Sequence, residues 1–201
     1  MDVAATARSI TASEWLFRFG FVNFLLTAVF FLLAAWALYV VLKPVNKDLA
    51  LLFVLLNLGG VAIWCTILLF EFSALLLMSG AGYLKAFEAD QLQALGMLSL
   101  TLYQTGFMIA QILLNLCLFP LGYLVFMSGF LPKVLGVLLI IDGFAMLIWS
   151  FQFFFLSGWE VLSTLGLAIG FVAEGLFCLW LLIKGVNVEK WEKRAAGAAR
   201  A

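Results

Sequence analysis

The sequence predicts an all-α, polytopic integral membrane protein, a helical bundle with five transmembrane helices in a single domain spanning residues 1–201. Three observations carry that reading. Of the 201 residues, 66% are apolar and 11% charged, whereas a soluble domain carries about 45–50% and about 25%. The mean hydropathy is +1.19. The apolar residues also fall in five runs, each as long as the roughly 20 residues a helix needs to cross a bilayer. Too few polar side chains remain to cover a soluble surface, so lipid is the solvent for most of the chain.

The first run, Leu16–Leu42, has 27 residues, and the first fourteen residues of the chain form no apolar h-region before it. It therefore reads as a retained helix rather than a cleaved signal peptide. It stops at Lys43-Pro44-Val45-Asn46-Lys47-Asp48, a charged turn whose proline cannot continue a helix. The second run is Leu49–Met78, closed by Ser79-Gly80-Ala81-Gly82 and the polar stretch Lys85–Gln93. The third, Leu92–Ser128, has 37 residues and would extend about 55 Å as one helix. That exceeds a bilayer, and a kink is expected near Pro120, whose ring removes a backbone hydrogen bond. Ser128-Gly129 with Pro132-Lys133 separates it from Leu131–Leu156, and Ser157-Gly158 precedes the last run, Val161–Ile183.

Lys and Arg concentrate in loops on the cytoplasmic side of a membrane. Alternate loops divide them into three (Arg8, Arg18, Lys85) and eight (Lys43, Lys47, Lys133, Lys184, Lys190, Lys193, Arg194, Arg200). The expected orientation is N-terminus outside and C-terminus cytoplasmic. Trp15 and Trp159 then mark the outer interface, and the basic tail 190–201 rests near anionic headgroups. Eleven basic residues balance eleven acidic ones, which removes the case for a nucleic-acid partner. The absence of His excludes His-ligated haem and the commonest zinc ligands. No metal or cofactor is expected.

Small residues at helical spacing let neighbouring backbones approach within a membrane. Gly136, Gly143 and Ser150 form such a stripe on the fourth helix, and Gly166 with Gly170 makes a GxxxG on the fifth. Their expected role is packing within the monomer. Gly122 and Gly129 share the seven-residue spacing but precede the turn, so they are left out of the stripe.

Ionisable residues within hydrocarbon are costly and usually face a bundle interior. Asp142 lies eleven residues past Leu131, about 16 Å in, and Glu174 ten residues before Lys184, about 15 Å from the inner end. Both fall near the midplane on consecutive antiparallel helices, with no Lys or Arg at that depth. On the third helix Gln104, Gln111 and Asn115 follow Thr101 along one face. Their amides donate and accept, so they are expected to satisfy neutral carboxyls across the bundle. Asp142, Glu174, Gln104, Gln111 and Asn115 are thus the candidate proton or ligand site. Glu71, about 33 Å along the second helix, is expected to reach water. Cys65, Cys117 and Cys178 have no metal-like spacing and read as apolar fillers. No P-loop, GxSxG, HExxH or paired CxxC occurs, so no catalytic residue is assigned.

Four strings, SEWLFRFGFV (Ser13–Val22), VLKPVNKDLALL (Val41–Leu52), FPLGYLVFMSGFLPKVLGVLLII (Phe119–Ile141) and AEGLFCLWLLIKGV (Ala173–Val186), resemble the bacterial and archaeal membrane family of domain of unknown function 4386. The resemblance implies a multi-pass protein of the bacterial cytoplasmic membrane and no particular activity. It also implies a further helix upstream, which is missing here and whose loss agrees with the outward N-terminus. Glu174 matches an acidic position of the family. Asn57 and Gly60 stand where the family carries an Arg and a nearby Glu.

The function expected from all this is a non-enzymatic membrane component, one that binds a lipid-like ligand or packs in a larger membrane complex or homo-oligomer. The alternatives are a proton- or cation-coupled transporter of small molecules using the midplane carboxyls, and an intramembrane enzyme acting on a lipid or isoprenoid.

Overall fold

Hydrocarbon offers no hydrogen bonds, so a spanning segment must satisfy its own backbone, and the helix is the local solution. The computed structural model describes residues 13–79, 82–155 and 160–198. The described segments are helical apart from short connections: α1 (Glu14–Leu42), α2 (Lys47–Met78), a 3₁₀ turn (Gly82–Leu84), α3 (Ala89–Leu116), α4 (Leu118–Ser128), α5 (Lys133–Phe155), α6 (Glu160–Ile183) and α7 (Val188–Ala198). Five helical segments are long and apolar enough to cross a membrane, with α3 and α4 counted together as Ala89–Ser128. Among the described residues there is no strand. Residues 1–12 and 156–159, which include Arg8 and the expected interfacial Trp159, lie outside the described residues.

The overlong third run is broken where its sequence predicts. Pro120 has no N–H to give to the carbonyl four residues back, at Leu116, and its ring crowds that carbonyl. The helix stops at Leu116 and restarts at Leu118. Cys117 stands between them, with its own amide still bonded to Leu113 O at 3.1 Å and its carbonyl accepting from Leu121 N at 3.2 Å. Two other helix ends need a left-handed residue, and glycine supplies it at no steric cost. Gly129 (φ 76°) closes α4, and Gly185 (φ 65°) follows α6 with its N–H on Trp180 O at 3.0 Å. Asn46 caps α2 by accepting from Leu49 N at 3.0 Å.

The chain forms two compact units, one from residues up to Phe31 with Val61–Ala110, the other from Leu32–Gly60 with residues from Gln111 onward. In the first, Trp64 is the centre of an aromatic nest. Phe24, Phe31 and Phe107 present their edges or faces to it with centroids 6.0, 5.9 and 6.1 Å away, distances at which tilted rings attract. In the second, Leu42, Leu124, Val125 and Leu139 are fully buried in a core completed by Ala35, Phe53, Leu135 and Phe177.

Within that second unit α4 and α5 are held close by glycine. A methyl built on Gly136 would stand 2.5 Å from Gly122 O and 2.6 Å from Phe126 N, and one built on Gly122 would stand 2.7 Å from Gly136 O. Gly122 therefore belongs to the seam from which the sequence reading excluded it: the turn folds it back onto Gly136. Gly143 meets the Phe119 ring and Leu118, and Gly166 meets the Ala145 carbonyl. Because the atoms opposing Gly136 are backbone, they cannot swing aside. Gly136→Ala should cost about 1–3 kcal/mol in a reversible unfolding titration in detergent, while Gly20→Ala, which meets nothing within 4 Å, should not lower the midpoint.

Candidate functional site

The polar residues of the second unit gather from four elements. Asn57 comes from α2, Cys117 from the helix break, Asp142 from α5 and Glu174 from α6. Asp142 is fully buried at 0% exposure, and Asn57 retains 5%. Cys117 lies beside the Asn57 side chain while its thiol donates to Leu114 O at 2.9 Å. Glu174 lies one turn along α6 from Gly170, the residue that faces Asp142.

Asp142 owes its position to a missing side chain. A methyl on Gly170 would stand 3.0 Å from Asp142 Oδ1 and 3.2 Å from Met146 Sδ. The second glycine of the GxxxG thus makes room for a carboxyl rather than for a backbone. Both oxygens of Asp142, and Asn57 Oδ1, are buried without a hydrogen-bond partner. Buried polar groups are almost always partnered, and leaving one unpartnered costs about 1–3 kcal/mol by protein mutational data.

The amides expected to satisfy these carboxyls do not. Asn115 is buried, but its Nδ2 donates to Met146 O at 3.0 Å and to Ser150 Oγ at 2.9 Å, one and two turns along α5 from Asp142. Ser150 Oγ in turn donates to Met146 O at 3.0 Å. This knot spends Asn115 on a structural tie between α3 and α5. Gln111 is half-buried in the second unit, whereas Gln104 is exposed and belongs to the first. The amide stripe is therefore not one polar surface. Glu174 is exposed rather than interior, because the buried stripe of α6 runs Gly166, Gly170, Ala173, Phe177 and leaves residue 174 on its edge. Glu71 departs from expectation in the opposite direction. It is half-buried in the first unit with Oε2 unpartnered and lies near Tyr103.

Sequence reasoning passed over Cys117 as filler and Ser150 as a spacer in a seam. The signal for Cys117 was its place three residues before Pro120, where the backbone breaks.

The first unit carries a different feature, a groove of about 480 Å³ between α2 and α3 whose walls include Leu69, Phe70, Leu95, Leu98 and Leu102. Two of its three hydroxyls are bonded to their own helix: Thr66 Oγ1 donates to Ala62 O and Ser73 Oγ to Phe70 O, both at 2.8 Å. What remains facing the groove is hydrocarbon.

Helices apolar on nearly every side, an internal polar cluster and an outer apolar groove define a multi-pass helical membrane protein. The chain belongs to the family described as Domain of unknown function (DUF4386), whose profile matches residues 1–185. It is similar to an uncharacterized protein of Archaeoglobus fulgidus, 29% identical over 169 residues that cover 83% of this chain and 84% of the relative. No solved structure matches it.

An unpartnered buried carboxyl weakens a fold. Asp142→Leu should therefore raise thermal stability in detergent by about 1–3 kcal/mol, whereas Asn115→Leu should lower it by about 0.6 kcal/mol, the average for an interhelical hydrogen bond in lipid.

Proposed function

We propose that this protein is a non-enzymatic membrane component that holds a lipid-like ligand, with the α2/α3 groove as the seat of its alkyl chain. The observation that carries the proposal is the chemistry of the groove. Three hydroxyl residues, Thr66, Ser73 and Ser99, line it with six apolar ones, and the Thr66 and Ser73 hydroxyls are committed to their own helix. A methylene chain fits such walls, while a polar substrate would find no free donor from those two. The carboxyl cluster supports a second reading, a proton- or cation-coupled carrier, because Asp142 is buried with both oxygens unpartnered and intramembrane ionisable groups mark ion pathways. The Lys/Arg excess supports placing the C-terminal side in the cytoplasm.

A diazirine-bearing alkyl lipid separates the readings. In liposomes it should label α2 and α3 peptides around Leu69 and Leu98, and Ser73→Phe, which puts a ring into the groove, should cut that labelling at least fivefold while Ser73→Ala preserves it. Labelling spread evenly over every lipid-facing helix, unchanged by Ser73→Phe, removes the groove. A proton flux in the same liposomes abolished by Asp142→Asn would favour the carrier instead.

A further inference from the structure

The basic tail expected to rest near headgroups forms, over Val188–Ala198, a docked helix. Asn187 N donates to Phe130 O at 3.1 Å, in the α4–α5 turn. Asn187 Oδ1 accepts from Lys190 N at 3.0 Å and so caps α7. Trp191 Nε1 donates to Val41 O at 2.8 Å, in the last turn of α1. These ties hold α7 across the end of the second unit, beside the turn that joins α1 to α2.

Between α7 and that turn lies a cavity of about 540 Å³. Lys43 and Lys47 line it from the turn, Lys193 and Arg194 from α7, and no carboxylate lines it. The ion pairs of the described residues are Arg18–Glu14 and Lys193–Glu189. Lys43, Lys47 and Arg194 thus have no acidic partner among those residues, though Lys43 Nζ lies 6.0 Å from the Tyr39 ring. The wall also carries the start of α2 at Lys47, the end of a helix where the backbone dipole favours an anion. Gly197 and Ala198 keep the α7 side of the cavity low.

We propose that this cavity binds the phosphate-bearing headgroup of an anionic phospholipid. Lys43, Lys47 and Arg194, which have no acidic partner among the described residues, line one cavity with a fourth cation, Lys193, and that charge matches a phosphate diester. Depth selects a lipid over a soluble phosphate. The apolar span of α1 ends at Leu42, and the cavity begins at Lys43, which is headgroup level. Below it, Leu33 and Trp36 of α1 are 58% and 61% exposed, giving the acyl chains an apolar track on the same helix. The site is independent of the α2/α3 groove, none of whose residues it shares.

The test uses the full chain purified in a neutral detergent and titrated with short-chain phosphatidylglycerol or phosphatidylcholine, bound lipid being counted by native mass spectrometry. Phosphatidylglycerol should bind at least fivefold more tightly, and Lys47→Gln with Arg194→Gln should abolish that preference. Gly197→Phe, which keeps every charge and fills the cavity, should abolish it too. Lys133→Gln with Lys184→Gln, an equal charge loss outside the cavity, should leave it intact. A preference that follows total charge, falling equally in the outside pair or surviving Gly197→Phe, overturns the site. Competition by millimolar inorganic phosphate equal to that by the lipid overturns the assignment to a phospholipid.

Discussion

The hydrocarbon solvent is the constraint on which this structure depends, because it supplies no partner for a polar group. Its first consequence is the helical content. Its second is that each departure from regular helix must be met by a specific residue. Pro120 removes one donor, and the chain answers by ending α3 at Leu116 and restarting α4 at Leu118. The seam hydroxyls are absorbed in the same way: Ser128 Oγ donates to Val125 O at 2.7 Å and accepts from Leu131 N at 3.1 Å. Against that background the bare carboxyl of Asp142 is an exception, and it sits where glycine has cleared a space.

Glycine is the second organising element. Water drives soluble helices together by excluding their apolar faces, but lipid tails are as apolar as Leu, so close contact and dispersion must do that work. The α4–α5 pair achieves it by backbone meeting backbone at Gly122 and Gly136, and the α5–α6 pair by Gly166 against the Ala145 carbonyl. Gly170 uses the same spacing for another end, seating a polar group in a buried seam.

Much of this was legible in the residues. Hydropathy marks a span because it sums over one segment, and the break near Pro120 follows from the chemistry of one residue. Asp142 could be placed near the midplane by counting rises. What could not be read was which helix faces which. Gly122 and Gly136 are separated by a turn, and their pairing appears only when the chain folds back. Asn115 could face Asp142 or Ser150, and an offset of two turns decides it. Glu174 shares a helix with buried Gly170 and Ala173, yet a step around the axis leaves it outside. The tail's composition gave its charge, while the tie from Trp191 to Val41 depends on a carbonyl 150 residues away.

The Gly122–Gly136 contact also bears on the order in which the molecule forms. The helices that carry it are joined by a turn of four residues, 129–132, so it is a local contact with little loop-closure entropy to overcome. The α4–α5 hairpin is complete once Phe155 has entered the membrane, before α6 is available. Synthesis from the N-terminus therefore presents a ready-made two-helix surface to α6 as it arrives, and the seat for Asp142 is closed last, when Gly170 docks.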